Sequence, residues 1–109
     1  MSDPRAKPEA ADGDPVPAKH MEAALTRGTL VFGDGATQVF TPDGRTTYID
    51  HGQPTEGEWS IVGDGTFSSY WPPDYRATYS LRWIVEEKGV VGLSFTEVSR
   101  GERFDGRYG

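Results

Sequence analysis

Side chains able to hold a ligand or move a proton fall into three groups along this chain. The first is aromatic: Trp59, Trp71, Tyr75, Tyr79, Trp83 and Phe95, with Tyr70 beside them and Tyr48 and Gln38 from an earlier stretch. Indole and phenol rings combine a broad apolar face with a polar tip, which lets them hold and orient a hydrophobic or aromatic molecule. The plainer use of the same rings is to fill a small interior, because a stripe at strand spacing is first of all packing. Within the ligand reading, Trp71 and Tyr75 form the rim and the other four line the interior.

The second group is Asp50, His51, Glu56 and Glu58, gathered around Gly52-Gln53-Pro54-Thr55. A carboxylate, an imidazole and further carboxylates are the materials of a divalent-metal site or of acid/base chemistry. Their spacing argues against both. Asp50 and His51 are adjacent and point to opposite faces of a strand, while Glu56 and Glu58 alternate with inward Gly57 and Trp59. A solvated loop is therefore expected, with no metal. The third group is Arg76 and Arg82, which share strand parity with Thr78 and Ser80, followed by Arg100, Arg103 and Arg107. Such a stripe could hold a carboxylate, but Asp and Glu total 17 here, and surface ion pairs worth about 0–1 kcal/mol are the expected outcome. No nucleophile elbow, phosphate-binding glycine loop, HExxH pair or calcium-loop spacing occurs. No catalytic residue is assigned, no cofactor is expected, and histidine chemistry would rest on His51 alone.

The elements that must position these groups follow from composition and pattern. The chain has 109 residues, a formal net charge of −6 and no cysteine. The acidic balance argues against nucleic acid and anionic membranes, whose affinity comes from cationic side chains. Without cysteine there is neither a disulfide framework nor a thiolate zinc site. No secretory signal or membrane-spanning run is read, so a cytoplasmic protein is expected. Residues 1–17 are rich in Pro, Asp and Ala and are expected to be an unstructured arm. Residues 18–27 read as a short helix with Met21, Ala24 and Leu25 on one stripe, Pro17 at its start and Gly28 past its end. A helix this short must dock that stripe or fray.

From Gly28 to Gly109 the apolar period becomes two, punctuated by Asp34-Gly35, Asp43-Gly44 and Asp64-Gly65 at turn positions. Eight strands are expected, near 29–32, 36–41, 45–51, 57–62, 66–71, 76–86, 90–98 and 103–108, joined as successive hairpins. The fold class is all-β: a small antiparallel meander barrel, or a tight sandwich. A loop at Glu87-Lys88-Gly89 sets Val85 opposite Val91, Trp83 opposite Leu93, Leu81 opposite Phe95 and Tyr79 opposite Glu97, making one face almost wholly apolar. A turn at Gly63-Asp64-Gly65 likewise pairs Ile61 with Phe67 and Trp59 with Ser69. The inner set is then Trp59, Ile61, Phe67, Trp71, Leu81, Trp83, Val85, Val91, Leu93 and Phe95. Trp71-Pro72-Pro73-Asp74-Tyr75 must leave the sheet, since prolines remove ladder donors.

The run Gly57-Glu58-Trp59-Ser60-Ile61, then Asp64-Gly65-Thr66-Phe67, with a late Phe104-Asp105-Gly106-Arg107-Tyr108, resembles lipocalin-like and avidin-like (calycin-type) barrels over roughly Thr29 to Gly109. That resemblance implies a small apolar or amphipathic molecule bound inside the barrel. In lipocalins the Gly-x-Trp element lies near the start of the chain, whereas here it falls in the fourth expected strand. No ligand-contacting residue is carried over.

The expectation is thus a barrel that binds a small hydrophobic or aromatic ligand. Its alternatives are a protein–protein interaction or structural domain with a filled core, or a cyclase- or isomerase-type enzyme in which a tyrosine or His51 moves a proton. A monomer or an edge-paired homodimer is compatible with all three.

Overall fold

The computed structural model describes residues 11–87 and 89–109; the part of the expected arm at residues 1–10 lies outside the described residues. One helix, α1 (Ala18–Thr26), precedes eight strands: β1 (Leu30–Phe32), β2 (Thr37–Thr41), β3 (Arg45–Asp50), β4 (Gln53–Gly63), β5 (Thr66–Trp71), β6 (Tyr75–Glu86), β7 (Gly89–Glu97) and β8 (Arg103–Tyr108). Each strand pairs antiparallel with the next, and β8 returns to pair with β1, closing the barrel. No helix among the described residues is long and apolar enough to cross a membrane.

Turn chemistry drives the meander. Gly35, Gly44 and Gly65 all have positive φ, as the Asp-Gly turns require. The register follows from burying one face: Trp83 lies opposite Leu93, Leu81 opposite Phe95 and Tyr79 opposite Glu97. On the preceding hairpin Ile61 pairs with Phe67 and Trp59 with Ser69. Three details depart from expectation. A bulge between Ile84 and Val85 sets Val85 opposite Val90 rather than Val91. Ile61 is 40% exposed, because β3 reaches only as far as Glu58 on β4 and leaves the strand beyond without a neighbour on that side. Gln53, Pro54 and Thr55 are strand rather than loop: His51 (φ 53) and Gly52 (φ 76) reverse the chain in two residues, so these pair with Asp50, Ile49 and Tyr48. Pro54 is tolerated there since β5 begins pairing with β4 only at Glu58.

The residues just before α1 correct the expected arm. β6 has 12 residues and β5 only 6, so β6 overshoots its neighbour and would leave backbone groups unpaired. Residues 12–16 fill that gap. The Gly13 and Val16 amides donate to Trp83 O and Leu81 O, each at 2.9 Å, and the Trp83 amide donates to Asp14 O, 2.9 Å. The Val85 amide donates to Asp12 Oδ1 at 2.9 Å, and Val16 is fully buried. Low local hydrophobicity failed as a guide because the partner lies about seventy residues away and the pairing is made by backbone.

Helix α1 closes the barrel end at which β4 runs into β5. Met21, Ala24 and Leu25 are buried, as their spacing required, and pack with Val16, Leu30, Leu81 and Leu93. Pro17 supplies no side-chain cap; the Asp64 carboxylate of the β4–β5 turn accepts from the Ala18 amide at 2.7 Å. At the other terminus, Tyr108 Oη donates to Ala24 O, 2.6 Å. Burying Met21 and Leu25 contributes roughly 1.5–3 kcal/mol each, enough to hold so short a helix in place.

Candidate functional site

With α1 across one end, the opposite end is formed by the start of β2, β4, β6 and β8 and the finish of β1, β3, β5 and β7. Inward side chains near that end surround a cavity of about 890 Å3, a volume that includes its mouth and a shallow shelf over Val31, Arg103 and Arg107. Phe40, Phe67 and Phe95 line its inner part. Phe95 on β7 is the hub: the rings of Phe32, Phe40, Phe67 and Tyr79 have centroids 5.8, 6.2, 5.7 and 6.4 Å from its own. Phe67 stacks on Tyr79 at 5.5 Å and 20°, and Phe32 tilts against Tyr48 at 6.3 Å. These offset and edge arrangements favour aromatic contact beyond area burial alone.

Trp71 ends β5 and lines the cavity above Ser69, whose Oγ accepts from Trp71 Nε1 at 3.1 Å. Its indole lies over Gly57 of β4. A Cβ at that position would come within 2.6 Å of Trp71 Cε3 and of Tyr70 O, so only glycine leaves the ring this place. Only Pro72, Pro73 and Asp74 leave the sheet, with a cis bond between the prolines; Trp71 and Tyr75, expected to leave with them, stay paired across the turn.

Polar groups complete the lining. Gln38 Nε2 donates to Thr46 Oγ1 at 2.9 Å, and Thr46 Oγ1 donates to Val39 O, 2.9 Å. Burial pushes the Tyr79 phenol up to about 12, with Tyr75 and Glu97 acting in the same direction against a hydrogen bond from Ser69. Burial also raises Tyr48, helped by Asp34 and Asp50. Both phenols remain protonated donors across the physiological range. Glu97, buried at the mouth end of β7, accepts from Tyr75 Oη and Ser99 Oγ, each at 3.3 Å.

The six aromatic candidates separate. Trp71, Tyr79 and Phe95 line the cavity, as do Tyr48 and Gln38. Trp59 belongs to the inner core, its Nε1 donating to Thr41 O at 3.0 Å, and Trp83, partly buried, packs against that core. Tyr75 is 45% exposed and braces Glu97. Tyr70 lies on the outer surface under Arg76, whose guanidinium carbon sits 4.4 Å from the ring centroid. Phe32, Phe40, Phe67, Ser69 and Phe104 also line it and were not among the ligand candidates, although Phe67 was expected inward; alternation from Leu30 and from Gln38 carries the first two inward, a signal available in the two early hairpins. Val31, Gly33, Asp34, Arg103, Asp105 and Arg107 complete the lining at the mouth and shelf.

The remaining polar groups disperse. His51 stands in the β3–β4 turn rather than on a strand face, its side chain 90% exposed, with Nδ1 3.1 Å from Asp50 Oδ1. Among the described residues no three or more His, Asp or Glu side chains are placed to hold a metal ion. Arg82 Nη1 donates to Gly13 O, Arg103 chelates Asp105 at 2.9 and 3.4 Å, and Arg107 meets Glu86 at 3.0 Å. Comparison with family models, with curated proteins and with solved structures finds no match to the chain.

Proposed function

We propose that this barrel is a cytoplasmic, calycin-like binding protein that takes a small hydrophobic or aromatic molecule into its open end. One observation carries this reading: an open-ended space floored by Phe40, Phe67 and Phe95 and walled by Phe32, Tyr48, Trp71 and Tyr79, which together with its mouth and the outer shelf over Val31, Arg103 and Arg107 amounts to about 890 Å3. Small-molecule sites run to about 300–1,000 Å3 and combine apolar walls with a few polar groups. A domain that used its aromatics only to fill its interior would not leave such a space, since interiors pack close to crystal density. The helix across the far end makes the site a cup rather than a channel.

The neutral fluorophore N-phenyl-1-naphthylamine tests this directly. Its emission should rise and saturate at one molecule per barrel, with Kd on the order of 10 μM. Gln38→Trp, which puts an indole into the space, should weaken binding at least about tenfold while keeping the β-sheet circular dichroism. Equal binding to the filled variant, or no saturable binding, would refute the site.

Interaction with another protein is a second reading, favoured by Val31, Val39 and Ile49, each 38–39% exposed on the outer face of β1–β3. In an edge-paired dimer one available edge is Gln53–Glu56 of β4, which pairs with β3 alone and carries Pro54, and another is the part of β4 beyond Glu58 on its β3 side.

A further inference from the structure

Resting on that reading, we infer that the ligand is an uncharged aromatic molecule with a hydrogen-bond-accepting oxygen, held by the phenols of Tyr48 and Tyr79 and the amide of Gln38, and that the uncharged inner lining selects against anions. The polar groups of the inner lining are two phenols, an amide and the Ser69 hydroxyl, all neutral. Three of them already have an internal partner: Gln38 donates to Thr46, while Ser69 accepts from Trp71 and hydrogen-bonds the Tyr79 phenol, which keeps its own O–H to donate. What the pair of phenols adds is O–H donors on walls that are otherwise rings, which suits an acceptor such as a ketone, quinone or ether oxygen.

Charge argues the rest. A carboxylate or phosphate carried into this lining would lose its water and meet no cation, which an apolar site does not offset. The guanidiniums on the shelf beside the mouth do not supply one, because Arg103 is chelated by Asp105 and Arg107 is paired with Glu86. The carboxylates near the phenols are less compensated: Asp34 accepts only a backbone amide, that of Ala36, among the described residues, and both Asp34 and Asp50 act on Tyr48. Glu97 acts on Tyr79 in the same way. At the mouth and shelf Asp34 and Asp105 stand against Arg103 and Arg107, and an anion that passes them finds no counter-charge inside. A cation would be drawn to the mouth, yet the inner lining offers it no carboxylate.

Four probes sharing one ring system separate these possibilities: naphthalene, 2-acetonaphthone, 2-naphthoate and 2-naphthylmethylammonium, each titrated against the intrinsic tryptophan emission of the full chain. The ketone should bind at least about tenfold tighter than the carboxylate and the ammonium, and about fivefold tighter than naphthalene. Tyr48→Phe and Tyr79→Phe should each weaken the ketone about three- to tenfold while leaving naphthalene within about twofold, so that naphthalene reports an intact cavity in the same variants. The inference is overturned if the carboxylate or the ammonium binds as tightly as the ketone, or if the phenylalanine variants weaken naphthalene and ketone alike. Failure of all four probes, naphthalene included, would overturn the cavity reading itself. Tight naphthalene binding without a preference for the ketone would overturn only the head-group assignment.

Discussion

Alanine at position 57 tests how the wall of the cavity is built. The added Cβ would lie 2.6 Å from Trp71 Cε3, 2.9 Å from Trp71 Cδ2 and 2.6 Å from Tyr70 O. Comfortable carbon contacts begin at about 3.5 Å, so the overlap is close to 1 Å in two directions. The indole can swing, but the carbonyl belongs to the backbone of β5 and can move only by disturbing the ladder beside the Glu58–Tyr70 pair. Overpacking of this kind costs about 1–3 kcal/mol, and a backbone clash places Gly57→Ala in the upper part of that range. For a domain of this size each kcal/mol lowers Tm by roughly 4–8 °C, so a fall of about 10–20 °C is expected. Gly63 on the same strand is an internal control: no heavy atom lies within 4 Å of its built Cβ, and Gly63→Ala should stay within about 0.5 kcal/mol of the parent. Thermal and urea unfolding followed by circular dichroism give both values, and the emission maximum of a protein retaining only Trp71 reports whether the ring has moved. Equal stability of the two alanine variants, with an unmoved Trp71 emission, would refute the contact and with it the account of what fixes this wall.

Leu25→Ala should cost about 2–5 kcal/mol in urea unfolding, because the side chain is fully buried where α1 seals the barrel. Stability should also fall in alkali. A phenol is neutral while protonated, and burial holds Tyr79 and Tyr108 at about 12 in the folded chain against 10.0 in the unfolded one. Their contribution is therefore complete below about pH 10 and is lost as pH climbs towards 12, so near-ultraviolet phenolate absorbance should show Tyr79 and Tyr108 ionising only as the sheet unfolds. Ionisation of Tyr79 and Tyr108 near pH 10 with folding retained would contradict the burial of these two.

The barrel was legible because its two strongest signals are local. Asp-Gly pairs demand positive φ wherever they separate apolar-alternating runs, and the register of β6 on β7 has a single solution that puts Trp83, Leu93, Leu81 and Phe95 on one face. The stripe of Met21, Ala24 and Leu25 declared its need for a partner equally well. The site was legible only in part. Alternation says which residues point inward, but whether an inward ring meets another ring or empty space depends on height along the barrel axis. That height follows from strand stagger and from which end the helix covers. Thus Trp59 and Trp71, both inward and both indoles, fall on opposite sides of the floor made by Phe40 and Phe67. The hydrogen bonding of residues 12–16 to β6 was hidden for another reason. Backbone pairing to an overshooting strand leaves no side-chain pattern beyond a lone buried valine.

The seam between β1 and β8 has a bearing on how the molecule forms. Seven of the eight strand pairings join neighbours in sequence, and such hairpins close quickly, at small entropic expense. The eighth must wait: Leu30 meets Tyr108, whose hydroxyl also reaches Ala24 across 84 positions. Until then the nascent ribbon is an open sheet with two bare margins, of which β1, at 3 residues, is too short to recruit a stranger firmly. On a ribosome the cup would therefore stay unsealed until Tyr108 had emerged, and its aromatic floor would spend that interval uncovered.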